Sequence, residues 1–242
     1  MKERLDKVII KNKLACSREI AQELILQGKV TVNGIVSKKT STLVKPNDKI
    51  SIIEEPKYVS RGGYKLMGAI DKFKISLTGK AALDVGASTG GFTDCLLQKG
   101  IQTVYCVDVG YGQLAWKIRE DKRVKVLDRT NARYLTNEML PELVDIAVID
   151  VSFISLKLIV PTIIKLLHNK GEILSLVKPQ FEVGKIFVSK GGIVKEESKR
   201  IEALQDICSF YEGIGLEIIG TMESPIKGTK GNVEYFIYSK RT

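Results

Sequence analysis

Glycines set between acidic residues at the end of an apolar run are the first chemistry this sequence offers. In Leu83-Asp84-Val85-Gly86-Ala87-Ser88-Thr89-Gly90-Gly91-Phe92-Thr93, glycine lets the backbone turn tightly and approach a ligand, and a helix beginning there offers free N–H groups. Asp108 closes the next apolar run, about 20 residues beyond Gly86, where a carboxylate accepts hydrogen bonds from ribose hydroxyls and repels a 2′-phosphate. Asp128 closes the third run and is expected near an adenine ring. Three nucleoside ligands compete for such a loop. ATP would need a Gly-Lys-Ser/Thr to grip its phosphates, and none follows. NAD fits less well, because Gly86, Gly90 and Gly91 are not spaced as G-x-G-x-x-G. S-adenosylmethionine carries a ribose without phosphate, so close backbone approach and carboxylates at Asp84, Asp108 and Asp128 suit it best. Gly86, Ser88, Gly90, Gly91, Phe92 and Thr93 are the loop contacts expected.

Four further residues stand in polar or glycine-flanked settings. Lys65 lies in Ser60-Arg61-Gly62-Gly63-Tyr64-Lys65, Asp150 ends an apolar run before Val151-Ser152-Phe153, and Lys178 ends another before Pro179-Gln180-Phe181. Glu234 is expected to begin the last strand, after Gly231-Asn232-Val233. At adjacent strand ends Asp150 and Lys178 would face one cleft, and a lysine before proline at a buried strand end is hard to explain by packing. The loop also satisfies G-x-S-x-G, and Ser88, Asp150 and His168 follow in hydrolase triad order. His168, however, sits in Leu167-His168-Asn169-Lys170-Gly171, which reads as an ordinary helix C-terminus. Trp116 reads as a core residue of an apolar helical stretch.

The elements that must hold these groups are legible as a rhythm. Segments 81–85, 103–107, 124–127, 146–149 and 172–177 are short apolar runs separated by helical stretches. That alternation predicts a parallel sheet in a doubly wound α/β domain, whose ligands bind at the carboxyl ends of the strands. Segments 216–222 and 233–238 flank a Pro/Gly-rich turn and predict a terminal hairpin. The first quarter is different. Leu5, Val8 and Ile9 share one helix face and Ile20, Ala21, Leu24 and Ile25 another, with Ser17 as N-cap and Gly28 as stop. Val30-Thr31-Val32-Asn33-Gly34-Ile35-Val36 alternates about an Asn-Gly turn, a hairpin signal, and Ile50 opens a further short strand. Residues 1–55 therefore read as a small α+β module, 56–62 as a linker and 63–242 as the larger domain.

Composition limits the partners. The 242 residues carry 38 Lys and Arg against 28 Asp and Glu, a net charge of +10. Half of that excess falls in the first 60 residues, a basic module on a larger body that suggests a polyanionic partner. No stretch approaches the roughly 20 apolar residues of a membrane span, and the first residues, Met1-Lys2-Glu3-Arg4-Leu5-Asp6, form no signal peptide. Cys16, Cys95, Cys106 and Cys208 are scattered, which argues against a disulfide framework or a metal cluster and for the cytoplasm. Arg61, Arg129 and Arg133 stand in turn-rich contexts beside the expected cleft and would receive phosphates.

Two resemblances join these readings. Arg4-Leu5-Asp6, Ser17-Arg18, Gly28-Lys29-Val30-Thr31-Val32-Asn33-Gly34 and Asp48-Lys49-Ile50 resemble the S-four RNA-binding domain. That family implies basic side chains laid against structured RNA, here Arg4, Arg18 and Lys39. Lys65, Asp150, Lys178 and Glu234, with the 84–93 loop, resemble the Lys-Asp-Lys-Glu tetrad of RrmJ/FtsJ-like ribose 2′-O-methyltransferases. The whole chain is thus similar to the TlyA family of ribosomal RNA 2′-O-methyltransferases. The resemblance implies a class-I, Rossmann-like methyltransferase domain, S-adenosylmethionine as cofactor, no metal, and a cytidine ribose of ribosomal RNA as substrate. Only eight residues follow Glu234, and such short members resemble those acting on large-subunit RNA, which is therefore favoured, with the small subunit the other possible target. A ribose hydroxyl is a weak nucleophile, so in-line positioning would supply much of the rate. Lys178 would take the hydroxyl proton or, as a cation, stabilise the developing alkoxide, while Asp150 and Glu234 hold the lysines. Some members of this family are described as haemolysins, so a pore-forming protein is one alternative, opposed by the lack of an apolar span. A non-catalytic RNA-binding protein that keeps the cofactor fold is the other.

Overall fold

A computed structural model describes residues 2–15, 17–53 and 56–242. Cys16 and the linker residues Glu54 and Glu55 lie outside them. The chain divides into two units, 1–57 and 58–242.

The smaller unit starts with a two-residue strand β1 (Glu3–Arg4), helices α1 (Leu5–Lys11) and α2 (Arg18–Leu26), and strands β2 (Val30–Val32), β3 (Ile35–Ser37), β4 (Leu43–Val44) and β5 (Ile50–Ile52). The Ser17 hydroxyl accepts from the N–H of Ile20 and so caps α2. Asn33 and Gly34 both take positive φ, 53° and 82°, as a tight hairpin turn requires, and β2 pairs with β3 on one side and β5 on the other. Leu5, Ile9, Ala21, Ile25, Val30 and Val44 form its core. Ile20, expected on the same face, is instead exposed. The β1–β4 pair escaped the sequence because two residues carry no readable period.

In the larger unit α3 (Arg61–Phe73) precedes β6 (Ala81–Val85), α4 (Gly91–Gln98), β7 (Thr103–Val107), α5 (Trp116–Arg119), β8 (Val124–Leu127) and β9 (Val144–Ile149). There follow α6 (Val160–Ile164), β10 (Leu167–Val177), α7 (Pro179–Glu182), α8 (Glu197–Gly213), β11 (Leu216–Glu223) and β12 (Tyr235–Arg241). The sheet runs β11-β12-β10-β9-β6-β7-β8; the five strands from β10 to β8 are parallel, and β12 lies antiparallel between β10 and β11. Side chains alternate between two cores: Val144, Ala147 and Ile149 face one, Ile146 and Val148 the other.

Several expectations need correction. The linker does not reach residue 62, because α3 begins at Arg61 under the cap of Ser60, whose hydroxyl accepts from the N–H of Gly62. Tyr58 is already buried in the larger core. The run Ser60-Arg61-Gly62-Gly63 reads as loop only because cap and loop share residue types. Glu234 immediately precedes β12 rather than beginning it. His168 lies in β10, exposed near the strand's start, at the opposite end of the parallel sheet from Ser88. The hydrolase triad therefore has no geometry. Trp116 is 75% exposed: it opens the four-residue α5, whose buried side is taken by Ile118, while Leu114 is buried in the loop before the helix.

Candidate active site

The chain proceeds from β6 outward to β7 and β8, then returns to lay β9 on the other side of β6. Open α/β sheets bind ligands at that reversal, outside the carboxyl ends of the strands. Here the backbones after β6 and β9 meet. The N–H of Asp150 donates to the Val85 carbonyl (2.9 Å), and Gly86, at φ 86°, lies so close that a Cβ would stand 2.5 Å from the Asp150 carbonyl oxygen. Only glycine fits both the conformation and the space.

Beyond Gly86 the loop orients one carboxylate. Asp108 accepts from the N–H of Ser88 through Oδ2 (2.8 Å) and from that of Gly110 through Oδ1 (2.7 Å). Each oxygen keeps a lone pair for a ligand. Asp108 lines a cleft of about 510 Å³ with Gly86, Ser88, Val109, Asn131, Val151 and Ile154. No lysine or arginine lies among its described lining residues. A largely apolar slot lined by two carboxylates, Asp108 and Asp150, and by no lysine or arginine among its described residues fits S-adenosylmethionine and disfavours a pyrophosphate cofactor.

Two ion pairs stand beside this slot. The Nζ of Lys65, on α3, lies 2.6 Å from Oε2 of Glu234, both largely buried. The Nζ of Lys178, at the end of β10, lies 2.5 Å from Oδ1 of Asp150 and donates to the Ser152 hydroxyl (2.8 Å). A second cleft, of about 440 Å³, is lined by Lys65, Asp150, Arg61, Gly86 and Phe92, among others, and a third, of about 300 Å³, by Lys178, Glu234, Ser152, Phe153, Gln180 and Phe181. Each ion pair thus has one member on either cleft, so the four groups stand between the two. The Gly228 backbone covers the Glu234 carboxylate so closely that a Cβ there would collide with Oε1. A buried ion pair carries a large desolvation cost and is weak evidence of a purely stabilising role.

The structure distributes the remaining expected residues unevenly. Asp84 is wholly buried and lines none of the three clefts. On β6 it alternates with Leu83 and Val85, so its side chain turns beneath the first turn of α4, where the Thr93 hydroxyl donates to it (2.6 Å). Burial pushes its carboxyl up to about 7, with the charge of Asp150 adding to the rise and the Thr93 hydrogen bond opposing it. Thr93 is buried with it, Gly90 is the left-handed N-cap of α4, and Phe92 stacks on Phe236 while facing the 440 Å³ cleft. Asp128 is engaged elsewhere: Arg119 donates to it (2.6 Å), as does the Gly112 N–H, and the guanidinium holds it below the usual carboxylate range. Thr130 and Asn131 line the slot in its place.

Of the arginines, Arg61 donates to the Lys227 carbonyl at the rim of the 440 Å³ cleft. Arg129 stacks on Tyr111 (4.4 Å) and Arg133 on Tyr134 (5.2 Å), both exposed, on either side of the slot-lining 130–132 segment. In the smaller unit Arg4 and Arg18 both bond Asp6, and Lys39 is exposed. Sequence reasoning missed Asn131, Gln180 and the Phe153–Phe181 ring pair, 5.0 Å apart. Phe153 is 89% exposed at positive φ, directly between the Asp150 strand end and Ser155. A bulky aromatic in so polar a run was the available signal.

Comparison with known proteins agrees with this arrangement. The FtsJ-like methyltransferase family matches residues 58–241 and the S4 domain residues 3–50. Over 237 residues the chain is 44% identical to the 16S/23S rRNA (cytidine-2′-O)-methyltransferase TlyA of Mycobacterium tuberculosis, covering 97% of this chain and 88% of that one. It is 33% identical over 249 residues to the 23S rRNA (cytidine-2′-O)-methyltransferase TlyA of Campylobacter jejuni, covering 95% and 96%. A solved structure from Streptococcus thermophilus, which carries a hemolysin name, superposes with a TM-score of 0.76 at 40% identity, covering 100% of this chain and 89% of that one. No helix among the described residues is long and apolar enough to cross a membrane. With an S4 domain ahead of a complete seven-stranded methyltransferase sheet, the chain belongs to the TlyA family of FtsJ-like methyltransferases.

Proposed function

We propose that this enzyme methylates the ribose 2′-OH of a cytidine in ribosomal RNA, with 23S RNA of the large subunit as its target. The observation that carries the reading is the pair of ion pairs, Lys65–Glu234 and Lys178–Asp150, set between two clefts beside a phosphate-free nucleoside slot. The RNA class follows from the names of the relatives from M. tuberculosis and C. jejuni, which share 23S rRNA and cytidine. S-adenosylmethionine, when bound, supplies an electrophilic methyl group on a sulfonium centre.

The chain's own residues then have distinct tasks. Asp108 and the backbone at Gly86 hold the nucleoside end, and Asn131 faces the same slot. Lys178, held by Asp150 and Ser152, would stabilise the negative charge that develops on the 2′-oxygen as its proton leaves to water. The Lys65–Glu234 pair stiffens the wall from which Asp150 projects, so the acceptor is aimed rather than activated alone. Arg61 beside one cleft, with Arg129 and Arg133 flanking the slot, would take phosphates of the same RNA. Arg4, Arg18 and Lys39 would do so from the smaller unit.

The test has two parts. A 23S transcript with 2′-deoxycytidine at the modified position should accept no methyl group, whereas continued transfer would place the reaction on the base. Lys178→Arg keeps a cation but cannot accept a proton at neutral pH. Substantial activity in that variant supports the electrostatic role. Loss as complete as in Lys178→Ala assigns the proton to Lys178.

A further inference from the structure

The smaller unit holds a carboxylate that the methyl-transfer chemistry does not use. Asp6, on the first turn of α1, has no exposed surface, yet it is charged and surrounded by donors. Arg4 grips it with both Nε (3.0 Å, to Oδ1) and a terminal nitrogen (2.9 Å, to Oδ2). Arg18, from α2, donates its Nε to the same Oδ2 (3.1 Å), and Gln22, one turn on, donates its amide there too (2.9 Å). The two guanidiniums therefore converge on one oxygen from two different elements.

Their outer faces remain available. The Arg4 and Arg18 side chains are 39% and 50% exposed. Arg18 commits only its Nε to Asp6, and Arg4 keeps one terminal nitrogen uncommitted to it. Within the cluster two positive charges face one buried negative charge, and the exposed Glu19 interacts with Arg18 from outside it. Arginine loses much rotamer freedom on binding, and a fork already held in place loses less. Planar forks of this kind bind phosphate oxygens in pairs.

We infer that Asp6 is a positioning residue for RNA binding, locking Arg4 and Arg18 together as one phosphate-reading unit on the S4 domain. The inference rests on the proposed RNA substrate. Hydrogen bonds from Arg4, then from Gln22 and Arg18, hold the Asp6 carboxyl well below the usual carboxylate range, so the lock is charged at neutral pH.

The sign of one measurement separates this role from plain electrostatics. Removing a carboxylate from a basic surface should tighten RNA binding if only net charge matters. Positioning predicts the reverse. With the full-length protein and 23S rRNA as probe, at fixed salt and well below the unfolding temperature, Asp6→Asn should weaken binding about tenfold. Arg4→Ala and Arg18→Ala should weaken it as well. Unchanged or tighter binding by folded Asp6→Asn overturns the inference while leaving the RNA reading intact. Wild-type protein that fails to bind 23S rRNA overturns both. Should Asp6→Asn fail to fold, the surface variants Arg4→Lys and Arg18→Lys decide. They keep every charge but lose the fork, so about tenfold weaker binding supports the lock and wild-type affinity overturns it.

Discussion

At the scale of single residues, the site separates groups that line the clefts from groups buried beneath the loop between them. Asp84 and Asp108 look equivalent in the sequence, each an acid near the end of an apolar run. Register divides them: Asp84 lies opposite Cys106, two positions before Asp108. Asp108 lies just past β7, in the cleft, whereas Asp84 lies within β6 and turns inward beneath α4. Two positions apart, they share a face of the sheet, so what separates them is that β6 continues past Asp84 while β7 ends before Asp108. Burial lifts the Asp84 carboxyl from an ordinary 3.8 to about 7. The folded protein therefore favours the protonated form of this group, and the contribution of Asp84 to stability is greatest below about pH 4 and is lost as pH rises through about 7. Asp84→Asn cannot ionise but still offers Thr93 an acceptor. Thermal unfolding of this variant should fall less between pH 5 and pH 8 than that of the wild type, by on the order of a few kcal/mol. Parallel curves would show that Asp84 does not set this dependence. Trp116 teaches the complementary lesson. Ile118 takes the one buried face of a single-turn helix and Leu114 is buried in the loop before it, which leaves Trp116 outside.

At the scale of elements, the parallel strands were readable because each is a short apolar run with an acid or a lysine at or near its carboxyl end. The closing hairpin was readable too, although β12 inserts between β10 and β11 rather than extending the edge, an order that local sequence does not encode. Boundaries failed where caps resemble loops, as at Ser60, and where a strand is too short for any period, as at β1 and β4. Caps that were read correctly carry a measurable energy. Ser17 closes α2, the helix that presents Arg18 and Gln22. Ser17→Ala should cost about 1 kcal/mol in chemical denaturation. No loss would mean that the hydroxyl's hydrogen bond to Ile20 is replaced by water at no cost.

For the molecule as a whole, the division into a basic binding module and a catalytic body was visible as uneven charge before any element was assigned. The tetrad was visible only through family resemblance, since Lys65 and Glu234 are 169 residues apart along the chain and meet only in the fold. What local sequence could supply was the setting of each member, not the pairing. The central claim is that this assembled pairing transfers a methyl group to ribosomal RNA. The direct measurement is transfer of labelled methyl from S-adenosylmethionine to large and small ribosomal subunits lacking the modification, by wild-type protein and by Lys178→Ala, with the modified nucleoside identified after nuclease digestion. The account predicts 2′-O-methylcytidine in the large subunit with the wild type, and loss of at least a hundredfold in rate, on the order expected for an electrostatic group at the reacting oxygen, with Lys178→Ala still binding RNA. Transfer undiminished in Lys178→Ala, or a product methylated on the base, would contradict it.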